Sequence, residues 1–197
     1  MFRNLLLDAL KAVAAISEAQ LDKLETHWRL LERWNRRTNL IRYKTLKELV
    51  ESHYCESLLL GTLLPKEPVT VVDIGSGAGF PGIPMAVLRT DCRFTLVESR
   101  NRKAAFLLEA TRTLPNTEVI CGRAEELNRR FDWAVCRAVS PDQLLPLYPR
   151  LADHIALLTT VEAAPTLAGA HRVPIPWRQR GVALTFVPRE TSGSGTM

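Results

Sequence analysis

Residues 71–84 read VVDIGSGAGFPGIP, and this stretch decides the fold. An apolar run ends at an acid, four glycines follow within eight residues, and two prolines close the segment. Such an apolar run is typical of a strand that is buried on both faces of a parallel sheet. Glycines directly after the strand indicate a loop whose backbone lies close to a small molecule. The stretch therefore predicts an α/β domain that binds a ligand.

Strand and helix patterns alternate after residue 68. This alternation predicts right-handed βαβ units and an α/β fold with a mostly parallel sheet and helices on both faces. Two further extended segments, 171–175 and 181–187, are expected to close the sheet as an antiparallel pair. The predicted strands are 69–74, 93–97, 117–121, 132–137 and 154–160, and the predicted helices are 82–90, 100–113 and 141–151.

The first 66 residues show helical patterns and no strand signal. A capping box of the form S-x-x-Q at residues 17–20 predicts the start of a helix. Its apolar face includes Trp28 and Trp34, which we expect in the core. Two more helices are predicted at 2–13 and 46–64. We therefore expect an N-terminal helical extension (1–66), a ligand-binding domain (67–190) and a flexible polar tail (191–197).

Basic residues are unevenly distributed along a chain whose formal net charge is +5. Seven of them fall within nineteen residues, a span whose only acid is Glu32. Such a cluster favours a polyanionic partner such as nucleic acid, and a solvated helix face is the alternative. The seven residues are Arg29, Arg33, Arg36, Arg37, Arg42, Lys44 and Lys47.

Several other classes of protein fit the sequence less well. No apolar stretch approaches the roughly 18 residues that a membrane span needs. Asp8 and Lys11 interrupt the N-terminal apolar segment, which argues against a signal peptide, so we expect a cytoplasmic protein. The cysteines form no C-x-x-C pair and the histidines are scattered, so neither a disulfide nor a metal site is expected. Cys121 and Cys136, at strand ends, are predicted to be buried.

The ligand of the glycine loop is either a dinucleotide or a cationic molecule. Residues 77–82 match the dinucleotide pattern G-x-G-x-x-G, which is a weak signal alone. The charge of Asp73 would repel a diphosphate, and Pro81 and Pro84 remove N–H donors that a diphosphate would use. S-adenosylmethionine carries an ammonium and a sulfonium group, so the same acid would attract it. We therefore predict S-adenosylmethionine as the cofactor, held at Asp73 and at the glycines Gly75, Gly77 and Gly79.

The ends of the next two strands supply further candidate residues. Glu98 ends the second strand, where an acid can accept hydrogen bonds from both ribose hydroxyls of a nucleoside cofactor. Arg123, Ala124 and Glu125 follow the third strand, where an acid and a backbone N–H can bind the edge of an adenine. The alternatives are a solvent-facing acid at the strand end and a helix N-terminus that is rich in acids.

Taken together, these residues resemble those of the RsmG family, also called GidB. The segment GSGAGFPGIP carries most of the resemblance, because its Phe-Pro-Gly-Ile-Pro continuation is specific. Residues 53–57, HYCES, are similar to the family's His-x-x-Asp-Ser, and Arg137 matches the arginine of its Ser-Arg-Ala, with Cys136 in place of the serine. Residues 156–159, ALLT, depart from the family's Ala-Leu-Lys-Gly.

The resemblance implies a Rossmann-like class I methyltransferase fold and an enzyme that methylates N7 of a guanosine in bacterial 16S rRNA. It further implies a monomer whose partner is 16S rRNA or the small ribosomal subunit. Arg123 and Arg137 would anchor the RNA or the carboxylate of the methyl donor. Because N7 has a free lone pair, we expect no general base. The residues implied to contact S-adenosylmethionine are Gly75, Phe80, Ala124, Glu125 and Arg137.

Two other functions remain open from the sequence. A nicotinamide-dependent oxidoreductase would need a residue for hydride transfer, and no such residue stands out. The departure at residues 156–159 leaves room for an RNA-binding protein that has this fold and no enzymatic activity. His53 is expected to be a buried hydrogen-bonding residue between the helical extension and the glycine loop rather than a catalytic group.

Overall fold

Seven strands form one sheet in the computed structural model, which describes residues 1–11, 13–137, 146–160, 171–176 and 182–188. The strands lie in the order β3-β2-β1-β4-β5-β7-β6, in which β7 pairs antiparallel with β5 and β6 and the other pairings are parallel. They are β1 (Thr70–Ile74), β2 (Arg93–Glu98), β3 (Thr117–Cys121), β4 (Phe131–Arg137), β5 (Ala152–Thr160), β6 (His171–Pro174) and β7 (Val182–Pro188).

The sequence predicted this sheet correctly. Each predicted strand is present within two residues at either end, and the expected antiparallel closure is confirmed, because β7 pairs with both β5 and β6. The strand order reverses direction between β1 and β4, since β2 and β3 lie on one side of β1 and the later strands on the other. This reversal creates a crevice beyond the carboxyl end of β1, where open α/β sheets bind ligands.

Helices cover the sheet and form the N-terminal extension. The predicted helix at 141–151 is observed as α7 over its last four residues, while residues 141–145 and the tail 191–197 lie outside the described residues. The helices are α1 (Phe2–Leu10), α2 (Glu18–Thr38), α3 (Leu46–Leu49), α4 (Glu56–Thr62), α5 (Gly82–Leu88), α6 (Asn101–Ala110) and α7 (Tyr148–Leu151).

The helix predicted at 46–64 is interrupted. A π-helix (Val50–Cys55) separates α3 from α4, so the expectation of one continuous α-helix was wrong. A π-turn contains one more residue than an α-turn, and a hydrophobic pattern of only six residues does not distinguish the two periods. The wider turn lies where the extension meets the sheet domain, and it contains His53 and Tyr54.

The helical extension and the sheet domain share one hydrophobic core. The capping box is present, with the Gln20 N–H donating to Ser17 Oγ at 3.3 Å. Trp28 stacks on Phe2 with ring centroids 4.9 Å apart, and Trp34 meets Phe106 of α6 edge-on at 5.8 Å. Both tryptophans therefore pack against the core, as predicted.

The two strand-end cysteines differ in their exposure. Cys136 is buried, as expected for the central strand β4. Cys121 is exposed, which corrects the prediction. The physical reason is its strand, because β3 is the edge of the sheet and lacks a neighbour that would cover it.

Candidate cofactor site

The glycine loop, residues 75–82, lies at the point where the strand order reverses. It is attached to the neighbouring strand, because the N–H groups of Gly75 and Ser76 donate to the Val97 carbonyl of β2 at 2.9 and 3.1 Å. The loop then turns tightly, with the N–H of Gly79 donating to the carbonyl of Ser76 at 2.7 Å. Its backbone is therefore fixed beside β2, at the mouth of the crevice.

Glycine is required in this loop for two different reasons. The φ angles of Gly75, Gly77 and Gly79 are 72°, 56° and 87°, in the left-handed region that side chains disfavour. A Cβ at Gly79 would in addition lie 2.4 Å from Ile83 Cδ1, whereas a Cβ at Gly77 would have no neighbour closer than 3.7 Å. The loop is therefore packed closely at Gly79 and is open at Gly77.

Asp73 lies beneath the loop rather than in the open crevice. It is fully buried, and its Oδ2 accepts a hydrogen bond from the Gly82 N–H at 3.0 Å. Its Oδ1 is buried without a hydrogen-bond partner among the described residues. Burial raises the pKa of this carboxyl group to about 7, and the nearby charge of Glu98 adds to the effect. Asp73 therefore fixes the start of α5, and its direct contact with a ligand stays a prediction.

Glu98 connects the end of β2 to the glycine loop. Its Oε2 accepts from the Gly77 N–H at 3.0 Å, and its Oε1 accepts from the Arg100 N–H at 2.9 Å. The residue is only 6% exposed. A carboxylate has about four lone-pair sites, so these two hydrogen bonds leave capacity for hydroxyl donors.

A short 3₁₀ turn (Ala124–Glu126) follows β3 at the same edge of the sheet. The Gly122 N–H donates to the Glu98 carbonyl at 3.1 Å, which brings this turn next to the end of β2. Ala124 is buried, whereas Arg123 and Glu125 are exposed. The structure thus places the predicted adenine-binding turn beside the predicted ribose-binding acid.

Arg137 ends β4 and forms an ion pair with the helical extension. Its Nη1 lies 2.7 Å from Oε2 of Glu56, which is fully buried, and also donates to the Ser52 carbonyl. The arginine side chain is 17% exposed. The predicted role of Arg137 as an anchor for RNA or cofactor stays a prediction, and the observed contacts show that it also fixes the extension to the sheet. Arg123, the other predicted anchor, follows β3 and therefore lies on the other side of β1 from Arg137.

Phe80 is surrounded by rings from the extension. Its centroid lies 5.4 Å from that of His27, 5.2 Å from that of His53 and 5.0 Å from that of Tyr54. The phenylalanine is 5% exposed, so most of its ring faces these residues, and its predicted contact with the methyl donor stays a prediction. His53 is half-buried and meets the loop through this ring contact.

Sequence reasoning did not predict the roles of His27 and Glu56. His27 is buried and its Nε2 lies 3.1 Å from the Ala78 carbonyl, although α2 was interpreted only by its apolar periodicity. Glu56 is the buried partner of Arg137. Both are polar residues on otherwise apolar helix faces, and this is the signal that could have identified them.

Within the described ranges, no group of three side chains is suited to holding a metal ion. In the same ranges, no helix combines the length and the apolar character that crossing a membrane requires.

The strand order, the antiparallel β7 and the glycine loop at the reversal point define a Rossmann-like class I methyltransferase fold. A similar solved structure is the magnesium protoporphyrin IX methyltransferase of Synechocystis PCC 6803, with a TM-score of 0.55 at 16% identity. The similarity covers 89% of this chain and 99% of that one.

Residues 20–149 match the GidB family, described as rRNA small subunit methyltransferase G, and the chain belongs to that family. The ribosomal RNA small subunit methyltransferase G of Fusobacterium nucleatum is 38% identical over 136 residues, which cover 66% of this chain. The protein of the same name from Nitrosococcus oceani is 38% identical over 145 residues, or 72% of this chain. The chain spans 59% and 63%, respectively, of the lengths of these two relatives.

Proposed function

We propose that this protein transfers a methyl group from S-adenosylmethionine to N7 of a guanosine in bacterial 16S rRNA. The observation that carries the proposal is a glycine loop held between two carboxylates at the reversal point of the sheet, in a chain of the methyltransferase G family. An rRNA substrate implies a reaction in the cytoplasm. The monomeric state stays a prediction.

The residues around the loop fit S-adenosylmethionine better than a dinucleotide. Asp73 and Glu98 both lie within hydrogen-bonding distance of loop N–H groups, so a diphosphate would meet two acids where it needs donors. The residues proposed to hold the cofactor are Asp73, Gly75, Gly77, Gly79, Phe80, Glu98, Ala124, Glu125 and Arg137.

Catalysis in this proposal depends on positioning. When bound, S-adenosylmethionine supplies an electrophilic methyl group, and guanine N7 offers its lone pair without losing a proton. The protein therefore needs to hold both partners in line, which can contribute about 7–11 kcal/mol of barrier reduction. Arg137 suits this task because Glu56 and the Ser52 carbonyl restrict its side chain. We propose that Arg137 and Arg123 anchor phosphate or carboxylate groups, since a cation at N7 would oppose the positive charge that methylation creates.

The RNA partner is supported by an arginine surface, which we define as Arg29, Arg33, Arg36 and Arg37 of α2 and Arg112 after α6. Two pockets of about 390 and 530 Å³ lie on this surface, and Arg33 lines both of them. Arg33 is paired with Glu109 at 2.5 Å. Within the described part of the chain, Arg36 and Arg37 are exposed and have no acid within 4.0 Å. They are therefore available for phosphates.

Calorimetric titration with S-adenosylmethionine and with NAD tests the cofactor, and we expect binding of the former alone. Binding of NAD alone would favour the oxidoreductase and end the proposal. Transfer of a tritiated methyl group to small subunits, compared with naked rRNA, distinguishes the enzyme from an RNA-binding protein without activity. Borohydride reduction followed by strand scission then maps the base, because an N7-methylated guanosine is cleaved and an amino-methylated one is not.

A further inference from the structure

A chain of two hydrogen bonds connects the helical extension to the glycine loop. The Tyr54 hydroxyl, in the π-helix, lies 2.9 Å from His27 Nδ1 in α2. His27 Nε2 lies 3.1 Å from the Ala78 carbonyl oxygen in the loop. Tyr54 and His27 are both buried, so these bonds are shielded from water.

The direction of both hydrogen bonds follows from their chemistry. A carbonyl oxygen only accepts, so His27 Nε2 carries the proton and donates it to Ala78. The Nδ1 atom of a neutral ring is then an acceptor, and the Tyr54 hydroxyl donates to it. Burial lowers the pKa of His27 to about 4, which keeps the ring in this neutral form near neutral pH.

The hydrogen-bonded residue occupies the centre of the loop. Ala78 lies between Gly77 and Gly79, which both have positive φ. The Ala78 carbonyl accepts from His27, and the N–H of the preceding residue, Gly77, donates to Glu98 at 3.0 Å. Hydrogen bonds therefore hold the loop to the end of β2 on one side and to the helical extension on the other.

Ring packing supports the same connection. His27 and Tyr54 both meet Phe80 edge-on, with centroids 5.4 and 5.0 Å away. The approach is close, because a Cβ at Gly79 would lie 3.2 Å from His27 Nε2. A different side chain at position 27 would thus change the environment of two consecutive loop residues.

From this geometry we propose that His27 and Tyr54 are positioning residues that set the conformation of the glycine loop and thereby its affinity for S-adenosylmethionine. The inference rests on the proposed function for the identity of the ligand. It assigns the N-terminal extension a part in cofactor binding, separate from any contact of that extension with RNA.

Four variants test the two hydrogen bonds separately. Tyr54→Phe removes the hydroxyl and keeps the ring. His27→Gln can place its amide nitrogen near the position of Nε2 and so retain the bond to Ala78. His27→Asn reaches only the position of Nδ1 and loses that bond. Tyr43→Phe is the matched control, because Tyr43 also donates its hydroxyl to a side chain, Glu32, within the extension.

The first measurement is the dissociation constant for S-adenosylmethionine by calorimetry, on protein that circular dichroism shows to be folded. We expect an increase of about tenfold for His27→Asn, which loses the bond to the loop, and of about threefold for Tyr54→Phe and His27→Gln, which keep that bond and lose only the bond between Tyr54 and position 27; Tyr43→Phe should be unchanged. In steady-state assays the KM for the cofactor should rise while the KM for RNA stays constant. A purely structural role would reduce the folded fraction and leave the dissociation constant unchanged, and that result would overturn the inference.

A second measurement does not depend on the ligand. The N–H groups of Gly79 and Phe80 donate to the Ser76 carbonyl, and their hydrogen exchange without ligand reports the order of the loop. We expect faster exchange in His27→Asn than in wild type and in Tyr43→Phe, and equal rates in all three would overturn the inference. If wild type does not bind S-adenosylmethionine, the proposed function fails, and the exchange experiment still decides whether the pair positions the loop.

Discussion

Replacing Arg137 by alanine is expected to destabilise the protein as well as to impair methyl transfer. Its Nη1 lies 2.7 Å from the Glu56 carboxylate, which has no exposure to solvent, and also donates to the Ser52 carbonyl. Removing one partner of such a pair leaves a buried charge without that partner. The variant therefore disturbs the junction between the extension and the sheet.

The size of the effect follows from burial. Breaking a buried ion pair by removal of one partner costs about 3–5 kcal/mol. The lower end of this range of energies applies, because the Arg137 side chain is 17% exposed and is therefore partly solvated. We expect a loss of about 3 kcal/mol in the free energy of unfolding, which corresponds to a decrease of roughly 6–12 °C in Tm for a chain of this size.

Urea denaturation of a double-mutant cycle measures this pair. The cycle uses Arg137→Ala, Glu56→Gln and the combination, and we expect the combined variant to lose less than the sum of the single losses. Arg33→Ala is the control, because the Arg33–Glu109 pair is exposed and should contribute at most about 1 kcal/mol. An Arg137→Ala protein that unfolds like wild type would refute the structural role of the pair.

Three further predictions concern the loop, its buried acid and the RNA surface. Gly79→Ala should cost about 2–4 kcal/mol in thermal or urea unfolding, against about 1–2 for Gly77→Ala, because only the former adds an overlap to the backbone strain; equal losses would contradict the packing described. Burial raises the pKa of Asp73 from 3.8 to about 7, so the folded state binds the proton of this carboxyl group more tightly than the unfolded state does. The stability gained in this way is fully present below pH 3.8 and is lost as the pH rises through 7. At about 1.36 kcal/mol per pH unit, wild type should lose about 4 kcal/mol relative to Asp73→Asn between pH 4 and pH 8 in urea titrations, and parallel pH profiles would disprove it. Replacing Arg36 and Arg37 by glutamine should reduce the slope of log K for RNA against log salt by about 1.5 in filter-binding assays, and an unchanged slope would remove them from the RNA surface.

The fold could be predicted from local signals because those signals are strong in this chain. Apolar runs bounded by glycine and proline identified the strands, and the GSGAGFPGIP segment located the loop. Two features were not predicted. The π-helix (Val50–Cys55) differs from an α-helix only by a small change in the helical period. The exposure of Cys121 depends on the position of its strand at the edge of the sheet. Neither property is encoded in a few neighbouring residues.

The candidate site was predictable only in part. The glycines and Glu98 follow their strands, and in a parallel sheet the carboxyl ends of neighbouring strands necessarily meet, so their juxtaposition follows from sequence order. The partners from the extension do not follow from any such rule. Glu56 is 81 residues from Arg137, and His27 is 51 residues from Ala78.

The sequence by itself determined the class of fold, the place of the loop and the family, because alternating apolar periods and a glycine-rich turn are local properties of the chain. Only the tertiary structure decided that Asp73 lies under the loop, that Arg137 is paired with Glu56, and that His27 connects the extension to Ala78. The physical reason is that burial and long-range pairing depend on how α2 and the π-helix pack against the sheet. That packing is a sum of many weak contacts, and no single segment of the sequence specifies it.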